Sequence, residues 1–424
     1  MDDNDDQISL YIDKDDFFDN KNRNKNKENF KYKFQYIKIK NRCYSSLILL
    51  IILNIFFISF SPNSKKSQYP GRFQSLKKLK KYMKACFQGL YLNDNAIINY
   101  NSSTPKISVV IPVYNCNKTI KAAVRSIQNQ NMGDIEIILV NDFSKDNTTK
   151  IIQELSEEDP RIKIINNKKN SGTLYSRNIG ILNSKGKYIM NLDNDDLFLD
   201  NEVFDDIYKE INNTNFDIIG FNDLEAHNYD PKGSQLNIGF FYKPDNFIVY
   251  QPELRYYPYT RNNIFYPNDY LVWGRIVKSD LYKKSINNLG KDIYGEERGQ
   301  KFLCYNEDTT MSIALFTYAQ SFKFITRFGI FHYLAKTTAS HTRSSEENIY
   351  SYIFILDMLF EFTENDISHK KYVAEFALDL NTNDITTEKT INYIKILLQR
   401  LYDSKYISEE YKNKLKQKYS CIYN

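Results

Sequence analysis

Three carboxylates, Asp193, Asp195 and Asp196, follow the apolar run Tyr188-Ile-Met-Asn-Leu192. A run of that kind reads as a buried strand. Like charges crowded at a strand end repel one another unless a cation or a donor-rich ligand meets them. Two acids with one residue between them suit a hard divalent ion that keeps several waters and grips a diphosphate. Acid pairs also arise by chance in an Asn- and Asp-rich chain, so the segment draws its meaning from what surrounds it. Glu307-Asp308 opens a largely apolar stretch, Thr309 to Tyr318, that reads as a helix. Acids there either stabilise the helix start through its macrodipole or act as a general base. Asp142 follows the run Ile135–Val140, where it caps a turn or contacts a ligand. Arg177 lies on a predicted helix after Gly172, either solvated or facing an anion.

The elements that must hold these groups follow from periodicity. Ile107–Val113, Ile135–Val140, Ile162–Ile165 and the run before Asp193 are β-branched and read as strands. Ile120, Ala123, Val124 and Ile127 recur at helical spacing with Asn117 as the expected N-cap, and Thr148, Ile151, Ile152 and Leu155 do the same. Strand–helix alternation of this kind implies a parallel sheet with right-handed crossovers. Ligands in such sheets collect beyond the carboxyl ends of the strands. That places Pro112–Tyr114, Asp142 and Asp193–Asp196 on one rim.

The 424 residues divide by texture. Residues 1–42 are polar and charged and are expected to be disordered. Cys43 to Ser61 carries no charge and is long enough to span a bilayer, so 43–61 reads as a transmembrane helix. It starts too far from the N-terminus to be a cleaved leader. Lys31, Lys33, Lys38, Lys40 and Arg42 precede it and favour a cytoplasmic N-terminus. Residues 62–104 read as a stem, 105–345 as the α/β domain (105–200 and 201–345 as its two halves), and 346–424 as a helical C-terminal region. The hydrophobic fraction of 42% supports a sizeable core, and a net charge of +5 on 57 basic and 52 acidic residues gives no reason to invoke nucleic acid. Five scattered cysteines exclude a disulfide scaffold. Asn101, Asn117, Asn147 and Asn212 begin glycosylation triplets.

Six segments in order resemble glycosyltransferase family 2: Val110-Ile-Pro-Val-Tyr-Asn115; Val140-Asn-Asp142-Phe-Ser144 with Asp146; Gly172 with Arg177-Asn178-Ile-Gly180; Leu192-Asp193-Asn194-Asp195-Asp196; Val272-Trp273-Gly274-Arg275-Ile-Val-Lys278; and Glu307-Asp308. They cover roughly residues 105–340. The resemblance implies a type-A glycosyltransferase fold, with a Rossmann-like nucleotide-binding half and a mostly parallel sheet. It further implies a metal-dependent, inverting transferase that moves a sugar from a nucleotide sugar, a UDP-sugar first among them, to a hydroxyl on a carbohydrate, lipid or protein acceptor. By the same resemblance Pro112, Tyr114, Asp142, Arg177, Asp193 and Asp195 bind the donor, with Asp142 reading uracil and Tyr114 packing near it. Asp193 and Asp195 are the implied ligands of Mn2+ or Mg2+, with Asp196 in the outer shell or capping the next helix. Asp308 is the implied base, with Glu307 the alternative. Trp273 is expected to line the acceptor region, and either His332 or His341 could add a metal ligand. The anchor makes the expected setting a single-pass membrane protein of the Golgi or endoplasmic reticulum. Two other readings compete: an inactive sugar-binding scaffold of the same fold, and a nucleotidyltransferase. The latter would want a Gly-rich phosphate loop, which Pro112-Val-Tyr114-Asn115 does not provide.

Overall fold

A computed structural model describes residues 104–227, 237–239, 247–251, 272–292, 296–300, 307–334, 345–362 and 385–423, with a few isolated positions and the two-residue strands Ser9–Leu10 and Ile37–Lys38. The expected anchor at 43–61, nearly all of the stem and His341 lie outside the described residues. Among the described residues, no helix is long and apolar enough to cross a membrane.

Four strands form the parallel nucleus: β1 (Ile107–Val113), β2 (Ile135–Asn141), β3 (Ile162–Asn166) and β4 (Tyr188–Asn191), in the order β4-β1-β2-β3. Every residue of β1, β2 and β4 is buried. That is the outcome expected of apolar runs covered on both faces. Helices α1 (Ile120–Gln128), α2 (Thr148–Glu158) and α3 (Thr173–Leu182) make the crossovers. Asn117 does not cap α1: the cap position is Thr119, and the Asn117 backbone N–H instead donates to Asp146. Helix α3 lies close on the sheet at Gly180, where a Cβ would stand 2.5 Å from Val110 Cγ1 and 3.0 Å from Val140 Cγ2.

Beyond β4 the sheet changes sense, so it is mixed and not mostly parallel. Strand β7 (Arg275–Lys278) runs antiparallel between β4 and β6 (Ile218–His227). Strand β8 (Ser321–Leu334) is parallel to β6 and antiparallel to the short β5 (Leu197–Phe198). Its register shifts twice between Ile325 and Ile330. Such irregularities bend a strand and re-aim the side chains that follow.

Two apolar layers enclose the sheet. On one face Val109 and Ile137 pack with Ile120 and Val124 of α1, Ile152 of α2 and Phe204 of α4 (Val203–Thr214). On the other, Val110 and Ile138 join Leu174 of α3, Tyr282 of α5 (Ser279–Asn287) and Ile313 of α6 (Glu307–Tyr318). The same layer continues into α7 (Ser345–Phe362) and α8 (Glu388–Asp403) through Phe354 and Leu398. The C-terminal helices therefore share the domain's core. Buried Arg298 reinforces the join, donating to Asp357 at 2.9 Å, while Arg400 of α8 reaches the same carboxylate at 3.0 Å.

Candidate active site

The parallel strands end together, and their loops are stitched to one another. Asn115, held at φ 45°, receives the backbone N–H of Lys145 on its side chain at 2.8 Å, and its own N–H donates to Ser144 Oγ at 3.1 Å. Asn194 donates to the Pro112 carbonyl at 3.0 Å. These bonds fix the β1, β2 and β4 loops as one rim. Tyr114, 44% exposed, stands out from it as an open aromatic face, whereas Lys145 Nζ covers the Phe143 ring at 3.4 Å from its centroid.

Asp142 lies beneath that rim and is buried. Its Oδ1 accepts from Ser171 N and Asn167 Nδ2, both at 2.8 Å, and its Oδ2 accepts from Gly172 N at 2.8 Å. Gly172, at φ 87°, is the cap residue of α3, so Asp142 holds the start of that helix. With two acceptor sites per oxygen, Oδ2 keeps capacity for one further donor. The cap and the ligand-contact readings are thus compatible.

Helix α3 delivers Arg177, whose guanidinium is buried between two carboxylates. One terminal nitrogen pairs with Asp193 and the other with Asp308, 131 positions away, while Glu307 stands at 4.0 Å. Asp308 and Glu307 occupy the first turn of α6, as expected. The second oxygen of Asp308 lies 3.5 Å from the Val272 backbone N–H. Burial raises Asp308 above the ordinary carboxylate range, against the pull of Arg177 and with Glu307 and Asp193 adding to the rise. Arg177 does not present an open fork to the rim, as a diphosphate clamp would, because acids engage both of its terminal nitrogens. Behind it, Asn191 Nδ2 donates to the fully buried Tyr282 hydroxyl at 2.8 Å. Neither Asn191 nor Tyr282 stood out in the sequence as a site residue.

Asp195 is pushed up to about 7, by burial first and then by Asp196 and Asp193, with His332 opposing. A carboxylate so disfavoured in its charged form invites a cation. Asp196 neither caps α4 nor faces solvent. It is fully buried, and its oxygens lie 2.8 and 2.9 Å from His332 Nδ1. With Asp196 ionised, that nitrogen carries the proton and donates. The His332 ring stacks on Trp273 at 4.7 Å between centroids, with Trp273 only 5% exposed. One face of the Trp273 ring is therefore taken by His332, whose approach follows the register shifts of β8. Among the described residues no three His, Cys, Asp or Glu side chains form a ready metal cage.

Residues 108–274 match the family model described as glycosyl transferase family 2. A glycosyltransferase, GlyG, of Streptococcus pneumoniae is 33% identical over 143 residues, covering 34% of this chain and 46% of GlyG. A Campylobacter jejuni GalNAc(5)-diNAcBac-PP-undecaprenol beta-1,3-glucosyltransferase is 38% identical over 96 residues, 22% of this chain and 31% of its own. The chain thus spans less than half the length of these curated relatives. The crystal structure of S. aureus TarS 1-349 in complex with UDP-GlcNAc superposes with a TM-score of 0.52 at 17% identity, covering 74% of this chain and 85% of that one. At that identity the likeness concerns the fold. Fold and site together define an α/β domain with acids on the carboxyl rim of its parallel strands. Residues 108–274 are those of a glycosyl transferase family 2 domain.

Proposed function

We propose that this protein is an inverting glycosyltransferase that moves a sugar from a UDP-sugar to an acceptor hydroxyl. The observation that carries the reading is the meeting of Asp193, from the strand rim, and Asp308, from a helix start, on buried Arg177. Donor-side and acceptor-side acids are thereby held side by side, as a single displacement requires. Asp308 takes the proton of the acceptor hydroxyl as its oxygen attacks the anomeric carbon. The diphosphate leaves from the opposite face. Positioned general bases contribute about 10²–10⁴-fold. Asp142, with its remaining acceptor capacity, receives the base's N–H, and exposed Tyr114 offers the ring a stacking face.

The acids fit a Mn2+ or Mg2+ ion. Asp195 and Asp193 would hold it, and the charge they place together is what a hard cation relieves; such ions complete their shell with water and phosphate oxygens. When bound, the ion acts as a Lewis acid on the departing diphosphate. The single-pass anchor at 43–61, a lumenal setting and a glycan, lipid or protein acceptor complete the proposal and rest on the sequence alone.

Hydrolysis of a panel of UDP-sugars, UDP-GlcNAc included, with and without Mn2+, tests the reading. Turnover should appear for one donor, disappear in Asp308→Asn, and survive in Glu154→Gln, whose side chain is exposed on α2 beside Lys150. A panel with no turnover, or equal rates in the two variants, would refute it.

A further inference from the structure

Arg177 occupies a position that a donor ligand would not need. It is buried, its two terminal nitrogens are divided between Asp308 and Asp193, and its Nε has no hydrogen-bond partner among the described residues. A side chain meant to meet a diphosphate would aim its fork outward. This one aims its fork along the floor of the site, joining the loop after β4 to the first turn of α6. We propose that Arg177 is a positioning residue for Asp308, holding the base at a set distance from the donor-side carboxylate Asp193. The inference rests on the transferase reading above and deepens it.

The physical case has three parts. First, Asp308 Oδ1 is anchored by the guanidinium, whereas Oδ2, among the described residues, has the long contact to Val272 N. One oxygen fixed and the other lightly held is the arrangement that lets a carboxylate face an acceptor hydroxyl. Second, the planar guanidinium spans two acids with a preorganised fork, which a lysine ammonium, a single point charge, does not reproduce. A misplacement of about 1 Å at a reacting group can cost about 100-fold in rate. Third, the groups around Asp308 are Arg177 from α3, Glu307 from its own helix, Asp193 from the β4 loop and the Tyr282 hydroxyl from α5. Arg177 is the cation bonded to Asp308 among the described residues; a second buried guanidinium, Arg275 of β7, bonds Ser312 one turn further along α6. Without it, burial and the two acids hold Asp308 in its protonated form up to higher pH, and a protonated carboxyl is no base.

The experiment compares wild type, Arg177→Lys and Arg177→Gln as full-length protein. It reads thermal melting, the pH–rate profile on the UDP-sugar that the wild type turns over, and UDP affinity by calorimetry with Mn2+. In Arg177→Gln, kcat at neutral pH should fall about 100-fold. The acid limb of its profile should move to higher pH, with part of the loss recovered in alkaline buffer. Arg177→Lys keeps the charge but not the fork, so its limb should move less while its kcat still falls. UDP affinity should stay within about threefold, less than about 0.7 kcal/mol, in both. Should Arg177→Gln fail to fold, the lysine variant decides alone, through lowered kcat at unchanged UDP affinity. An acid limb unmoved in folded Arg177→Gln overturns the proposal, and so does a tenfold loss of UDP affinity in either variant. A wild type that binds UDP yet turns over no donor would remove the transferase reading, and this inference with it.

Discussion

Replacing Asp308 with Asn separates catalysis from stability in one substitution. The change keeps the shape of the side chain and removes the charge that accepts the acceptor's proton. Loss of a positioned general base should lower kcat by about 10²–10⁴-fold, equivalent to roughly 3–5 kcal/mol of transition-state stabilisation. Stability should move the other way. Burial disfavours the ionised form of Asp308, so the folded state holds its proton to higher pH than the unfolded chain does. The stability attached to that proton is fully present below the ordinary carboxylate value near 4 and is lost as pH rises through the raised folded value. An Asn carries no such titration, so the melting temperature of the variant should gain on the wild type as pH rises toward neutrality. Arg177 is not stranded, because Asp193 and Glu307 remain beside it. The assay pairs donor turnover with thermal melts at acidic and neutral pH. A variant within tenfold of wild-type kcat would refute Asp308 as the base. If Glu307→Gln shows the large loss instead, the role belongs to Glu307.

Asp195→Asn should reduce turnover by two or more orders of magnitude and abolish its response to Mn2+. A Lewis acid on the diphosphate contributes several kcal/mol at about 1.4 kcal/mol per tenfold; metal titration of the rate checks this. Asp159→Asn should destabilise the fold by about 3–5 kcal/mol in urea melts, since Arg161 and Asp159 are both buried and bonded at 2.8 Å. Burial works to raise Asp159, but bonds from Arg161 and Gln128 outweigh it and hold it below its ordinary value. Its contribution is therefore present above the ordinary value and lost as pH falls through the folded one, a decline that acid melts should show in the wild type and not in the variant. Gly180→Val should cost roughly 1–3 kcal/mol or more through overpacking against Val110 and Val140. Because Arg177 lies one turn earlier on α3, kcat should fall as well, and melts read beside rates will show both effects together.

Much of the donor half was legible in the chain. The runs Ile107–Val113 and Ile135–Asn141 are mostly apolar, Ser108, Glu136 and Asn141 apart, because both faces of a parallel sheet are covered, and acids at strand ends must lie on the carboxyl rim. Local pattern suffices for such elements, since a strand's burial is written in its own residues. Glu307 and Asp308 at a helix start were legible for the same reason.

What the tertiary structure decided was pairing. Asp196 stands 136 positions from His332, and Arg177 stands 131 from Asp308. No periodicity specifies that these side chains meet, because each contact depends on where a strand changes sense or shifts register. The antiparallel entry of β7, the irregular stretch of β8 and the close seat of α3 at Gly180 turn Trp273 inward onto His332 and Arg177 across the floor of the site. Residue types and their order announced a chemistry of acids on a rim. Only the packed sheet determined which acid faces which cation.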